Sequence, residues 1–236
     1  MVPIFVLLTF VVVVFSTVLI KHYKEKASTA NVRTTEKNSY GLLFPLNYLL
    51  FDNHIWLKET TDKSYVLGLD ELFNNFMGIP DQIYLKNEGD EINEGEQLAI
   101  LKKGNKEIYL QAPVSGVITK VNDIMSVHPD LINSDPYDQG WLYTFESSSF
   151  DKNTNKVKTK NDAKSWLKEE FNRLKEFLQT QSSQFEPVVE TLMDGGWPVQ
   201  GVIEYIDQQT VTLFEKEFLR AEKNKTGISS KSEHNN

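Results

Sequence analysis

A mainly β domain, led by an apolar anchor and trailed by helices, is what the 236 residues predict. Three observations point to it. Met1 to Ile20 carries no charged side chain. Between Trp56 and Phe145, short segments rich in β-formers alternate with turn residues, the pattern of a small barrel or sandwich. Beyond Asp162, apolar residues return at three- and four-residue steps, as they do along one face of a helix.

Composition narrows the function classes. Hydrophobic residues make up 40% and charged residues 25% of the chain, so the bulk of it forms a folded soluble domain. The formal net charge of −8 argues against a nucleic-acid partner, because phosphate binding runs on clustered Lys and Arg. No cysteine is present, which removes disulfides, thiolate-bound metals and thiol catalysis within the chain.

The apolar N-terminus is long enough to cross a bilayer, since roughly 20 residues at about 1.5 Å each span a ~30 Å hydrocarbon core. A cleaved signal peptide fits less well, because no basic residue precedes the run. Lys21, Lys24, Lys26 and Arg33 follow it, so the positive-inside rule puts the main domain on the cytoplasmic side of a single-pass anchor. Residues 21–39 are polar and read as a linker. Residues 40–51 are apolar but short and interrupted by Pro45 and Asn47. They read as a packing segment, with a surface patch for a membrane or partner as the alternative.

Residues 52–146 form the β domain. Tyr65–Leu69, Gln82–Leu85, Glu91–Ile92, Leu98–Leu101, Glu107–Gln111, Gly116–Val121 and Trp141–Phe145 read as strands. Asp70 to Met77 reads as a short helix stopped by Gly78 and Pro80, and Ser126 to Ile132 as another with Pro129 in its first turn. Gly104–Asn105 suits a tight hairpin turn, since both residue types tolerate positive φ. Residues 147–161 read as a second linker. Residues 162–221 read as a helical extension, with Asp162 capping a helix whose face carries Ala163, Trp166, Leu167, Phe171, Leu174 and Leu178. Met193–Pro198 reads as a turn. A second amphipathic helix aligns Ile203, Ile206, Thr210, Phe214 and Phe218. These helices are expected to pack on each other and on the barrel, although their aromatic faces could instead dock a partner. Residues 222–236 read as a disordered tail.

A set of short motifs then resembles the H protein of the glycine cleavage system. Asn53-His-Ile-Trp56 is similar to its Thr-His-Glu-Trp segment. Tyr65-Val-Leu-Gly-Leu-Asp-Glu-Leu72 is similar to its V-G-I-T-D-x-A, Glu88 to Glu96 to its E-x-G-x-x-V-x-x-G-E, and Ala112-Pro-Val-Ser-Gly116 to its A-P-V-S-G. Val121-Asn122, Pro129 to Asn133, Asp135-Pro-Tyr137 and Gly140-Trp-Leu142 follow in the family's order. Each motif is weak alone, and together they are specific. The resemblance implies a lipoyl-type flattened barrel of two small sheets. It also implies a lysine in an exposed hairpin that bears lipoate and shuttles an aminomethyl group between partner enzymes.

The chain departs from that pattern where the chemistry sits. The family hairpin reads E-S-V-K-A. Counting back from Gly116 without gaps puts its lysine on Asn105, and its glutamate and serine on Lys102 and Lys103. The carboxamide nitrogen of Asn105 is not nucleophilic. Lys106 is one residue on, and a one-residue step along a strand turns a side chain to the other face. Lys102, Lys103 and Lys106 therefore read first as solvated charges that protect an edge from aggregation, and second as a basic knob for an acidic partner.

No other constellation carries chemistry. His22, His54, His128 and His234 show no metal-ligand spacing, and His54 reads as structural. No nucleophile is matched with a base, so no enzyme activity is expected. The expectation is a membrane-anchored, non-lipoylated, non-catalytic adaptor that holds a protein partner complex at the bilayer through Met1–Ile20. A lipoyl carrier using Lys106 is the alternative, and a module adapted to another ligand or to regulation is a third reading.

Overall fold

A computed structural model describes residues 35–37, 43–45, 47–60, 64–147, 150–151, 157–181 and 200–220. The predicted span Met1–Ile20, the turn Met193–Pro198 and the tail 222–236 lie outside these residues. No helix among the described residues is long and apolar enough to cross a membrane. The chain forms two units, Met1–Asn47 and Tyr48–Asn236. The first contains an antiparallel pair, β1 (Thr35–Lys37) and β2 (Leu43–Pro45), so a strand occupies the end of the stretch read as a linker.

The second unit carries two sheets. Its strands are β3 (Leu49–Phe51), β4 (Ile55–Glu59), β5 (Ser64–Leu69), β6 (Gln82–Leu85), β7 (Glu91–Ile92), β8 (Gln97–Lys103), β9 (Lys106–Gln111), β10 (Gly116–Val121), β11 (Trp141–Glu146) and β12 (Val157–Lys158). Seven of them are ordered β12-β3-β4-β5-β11-β10-β7, and the other three β6-β8-β9. The larger sheet thus runs beyond residues 52–146 on both sides. Leu49–Phe51 is more than a packing segment, because it pairs with β4 and β12. Val157–Lys158 sits within the stretch read as linker, held by pairing and by Lys158 Nζ, 2.9 Å from Asp52 Oδ1.

The core follows from strand alternation. Ile83, Leu101, Ile108, Leu110, Ile118 and Leu142 are buried. Tyr143 is buried with its hydroxyl satisfied, accepting from the Lys86 N–H at 2.8 Å and donating to Leu98 O at 2.9 Å. Trp56 is fully buried and donates from Nε1 to Leu69 O at 3.0 Å. Its ring leaves room only for glycine opposite, since a Cβ on Gly68 would lie 2.4 Å from Trp56 Cζ2.

Four α-helices complete the described unit: α1 (Glu71–Met77), α2 (Leu131–Ser134), α3 (Lys160–Gln181) and α4 (Gln208–Phe214). Asp70 caps α1 by accepting the Phe73 N–H at 2.9 Å, and Gly78 ends it at φ 67°. The helix expected over Ser126–Ile132 is instead two pieces, a 3-10 turn at Asp123–Ser126 and then α2. Pro129 lacks an N–H and disfavours helical backbone at His128, so the ladder breaks there. Helix α3 begins before Asp162, whose own N–H donates to Thr159 O. Asp162 is therefore a first-turn acid rather than the cap. Its expected apolar face is buried along its whole length, from Ala163 to Leu178. The second amphipathic helix is broken as well. A 3-10 turn covers Val202–Glu204, Asp207 restarts the chain as the cap of α4, and a π-turn covers Glu215–Leu219. All five aligned residues, Ile203, Ile206, Thr210, Phe214 and Phe218, are nevertheless buried.

Candidate functional site: the β8–β9 hairpin and its cover

The register of β8 and β9 pairs Leu101 with Ile108, Lys102 with Glu107 and Lys103 with Lys106. Gly104 and Asn105 form the turn, both exposed, with Gly104 at φ 60°. Glycine at the first central position is what a II′ hairpin turn requires. Asp81, just before β6, fastens this tip. Its carboxylate accepts the Gly104 N–H at 2.7 Å and lies 3.4 Å from Lys103 Nζ. The Gly104 hydrogen bond, helped by Lys103, holds the Asp81 carboxyl below the usual range.

Asn105 therefore occupies the apex beside Gly104. The lysines divide by face, because directly paired residues share one. Lys102 lies on the outer face in a row with Gln82 and Glu107. The next row is Tyr84, Ile100 and Tyr109, and both tyrosines are exposed. Lys103 and Lys106 lie on the inner face with Leu101 and Ile108.

The inner face is not open. Lys106 Nζ donates to Ile203 O at 2.6 Å and to Glu204 O at 3.0 Å. Burial lowers its pKa, with Glu204 and Asp207 opposing. Lys103 Nζ is 3.0 Å from Glu204 Oε1, and that hydrogen bond pushes its pKa up. The N–H of Tyr109, on the edge strand β9, donates to Glu215 Oε1 at 2.7 Å. The segment from Gly201 to Leu219 is thus a cover over the hairpin. It is seated on α1: Gly201 N–H donates to Asn75 O at 2.8 Å, and Phe214 stacks on Phe76 with ring centroids 3.7 Å apart.

Sequence reasoning located the turn and its lysines but neither Asp81 nor the cover. No local signal announces a contact between residues 97 positions apart. It also left His54 as a structural residue. His54 is buried at φ 62°, a left-handed conformation costly for a residue with a Cβ. Its Nδ1 is 2.9 Å from Asp70 Oδ2, and its Nε2 is 3.9 Å from Glu170 Oε2 on α3. No group of His, Asp or Glu among the described residues is arranged to hold a metal ion.

The barrel region is similar to known proteins. The family model described as Glycine cleavage H-protein matches residues 48–170. The glycine cleavage system H protein of Cronobacter sakazakii is 35% identical over 95 residues, which cover 40% of this chain and 74% of that one. The H protein of Photorhabdus laumondii is 31% identical over 104 residues, covering 44% and 80%. A crystal structure of the H protein from Mycobacterium marinum covers 53% of this chain and 99% of its own, with 21% identity and a TM-score of 0.47.

Proposed function

Because this chain belongs to the glycine cleavage H-protein family, we propose that it is a carrier-type subunit that presents the β8–β9 hairpin to a partner enzyme. The family match over 48–170 carries this reading. The outer row Tyr84, Ile100 and Tyr109 supports it by offering a partly apolar, aromatic face beside the hairpin. The subunit needs no active site of its own, since a carrier supplies position while its cofactor supplies the reaction.

Lipoate is the cofactor this family implies, and Lys106, next to Asn105, is the hairpin amine we assign to it. Asn105 offers no nucleophile, and Lys103 is paired with Glu204 and Asp81. Lys106 adjoins the turn from the β9 side. When bound, lipoate would supply a reactive dithiolane, while the chain's part is to hold the attachment point beside a rigid turn. Attachment at Lys106 further requires the amine to leave the carbonyls of Ile203 and Glu204.

Intact-mass analysis of protein from cells with an active lipoate ligase tests the reading. One lipoyl increment is expected, confined to the hairpin peptide and absent in Lys106→Ala. An unmodified mass would overturn the carrier reading. A second reading, an unlipoylated adaptor, is favoured by the carboxamide at the apex and the engaged amines beside it. It predicts that Lys106→Ala still recovers the same protein complex in a pulldown. For either reading we propose anchoring through Met1–Ile20, whose lack of charge and basic C-terminal flank support a cytoplasmic-side domain. Release from the membrane fraction by high salt or alkaline carbonate would count against the anchor.

A further inference from the structure

The C-terminal elements that cover Lys106 are joined to a buried cluster whose hydrogen bonds do not balance without an extra proton. Asp70 Oδ1 accepts the Phe73 N–H and its Oδ2 faces His54 Nδ1 at 2.9 Å. An acceptor carboxylate there calls for an N–H at Nδ1. In a neutral imidazole this leaves a lone pair on Nε2. That lone pair would face Glu170 Oε2, a buried oxygen with no hydrogen-bond partner, 3.9 Å away. Two acceptors facing each other in a dry site are unfavourable, and one proton between them removes the conflict.

The other charged groups around the pair are few. Arg173, on α3 like Glu170, contacts Glu170 Oε1 at 3.0 Å. Asp52, beside β3, acts on Glu170 through space and is itself tied to Lys158. Asp70 also faces Tyr137. Arg173 also acts on His54, and the rings of Trp166 on α3 and Phe218 in the π-turn pack against it. The cluster and the cover are mechanically linked. Arg173 donates to Glu217 O and lies 4.2 Å from the centre of the Phe218 ring, while Phe177 packs on both Phe214 and Phe218.

We propose that α3 and residues 201–219 form a latch over the hairpin, and that closing it takes up one proton into the His54–Glu170 pair. The inference deepens the carrier reading, because the latch decides when Lys106 is reachable, but its test needs no lipoate. Charge bookkeeping agrees in direction. Burial and, more weakly, Arg173 lower the His54 pKa, yet Asp70 and then Glu170 outweigh them and the net direction is up. Burial also raises the Glu170 carboxyl, against His54 and Arg173. Asp70 stays beside His54 when the latch opens, so the proton linked to closure is the one that the facing Glu170 Oε2 calls for. Closure is therefore favoured at low pH, where the pair is protonated in both states. It is lost as pH rises through the closed-state value.

The experiment follows the Tyr109 amide by hydrogen exchange in the full chain from pH 5.5 to 9, corrected for intrinsic exchange. In parallel, acetylation of Lys106 is measured relative to Lys102 on the opposite face. Through the titration range of the pair, opening is expected to rise by up to about tenfold per pH unit, the slope of one linked proton. It should level off once the closed-state value is passed. Glu170→Gln supplies an amide donor to Nε2 without a charge, so its profile should be flat and protected throughout. A flat profile in the wild-type chain overturns the proposal whatever the variant does, as does an unchanged slope in Glu170→Gln. Absence of lipoate with a steep profile would instead sink the carrier reading and leave the latch standing.

Discussion

Gly68 shows how tightly single residues are fixed in the barrel. With a Cβ placed 2.4 Å from the buried Trp56 ring, Gly68→Ala is expected to cost about 1–3 kcal/mol through overpacking. Urea unfolding measures this, and an unchanged midpoint would mean that the indole has somewhere to go. Tyr143→Phe strips a partner from both the Lys86 N–H and Leu98 O. It should cost about 1–3 kcal/mol, the range for leaving such groups unsatisfied. At this scale the sequence was most informative where a residue's role is local. Gly104 and Asn105 declare their turn by type, and the structure has both between β8 and β9. Lys106 was read as a solvated charge because its acceptors are the backbone carbonyls of Ile203 and Glu204. Backbone acceptors leave no trace in side-chain identity, and these lie in another element. His54 was similarly opaque, since its second partner, Glu170, is an ordinary acid on a helix until burial makes it costly.

Elements were legible in proportion to how far their ends are set by short-range chemistry. Strands β6, β7 and β10 have the bounds their residues predicted, and α1 starts and stops at Asp70 and Gly78. Short edge strands were missed because pairing, not composition, makes them strands: Val157–Lys158 exists by lying against Leu50 and Phe51. The broken C-terminal helix has a different cause. Its apolar spacing is helical throughout, but the Asp207 carboxylate captures the Thr210 N–H and restarts the helix there. The hairpin itself depends on the positive φ of Gly104, where a side chain would meet no neighbouring atom. Gly104→Ala should therefore cost only the backbone term, about 1–2 kcal/mol for a left-handed residue. Faster amide exchange confined to β8 and β9 is the expected sign. A loss spread over the larger sheet would show that the turn supports more than its own hairpin.

At the scale of the molecule, the family-matched region ends at residue 170 while its hairpin is covered by residues from 201 onward. The barrel fills its own interior with side chains from the two sheets. The cover is held in part by one aromatic stack, in which the Phe214 ring centroid lies 3.7 Å from that of Phe76 and 4.8 Å from that of Phe218. This division predicts two levels of stability within the second unit rather than one. Phe214→Ala removes a side chain that is 1% exposed, a loss of about 3–5 kcal/mol for a buried aromatic. That loss should fall on closure alone. Native-state exchange should show the Tyr109 amide and the α3 amides opening at lower free energy, while β5 and β11, deep in the larger sheet, keep the protection they have in the wild-type chain. The same variant should raise Lys106 acetylation without moving that of Lys102. Were β5 and β11 to lose protection by the same amount, barrel and cover would unfold together. The hairpin could then be uncovered only by unfolding the carrier that presents it.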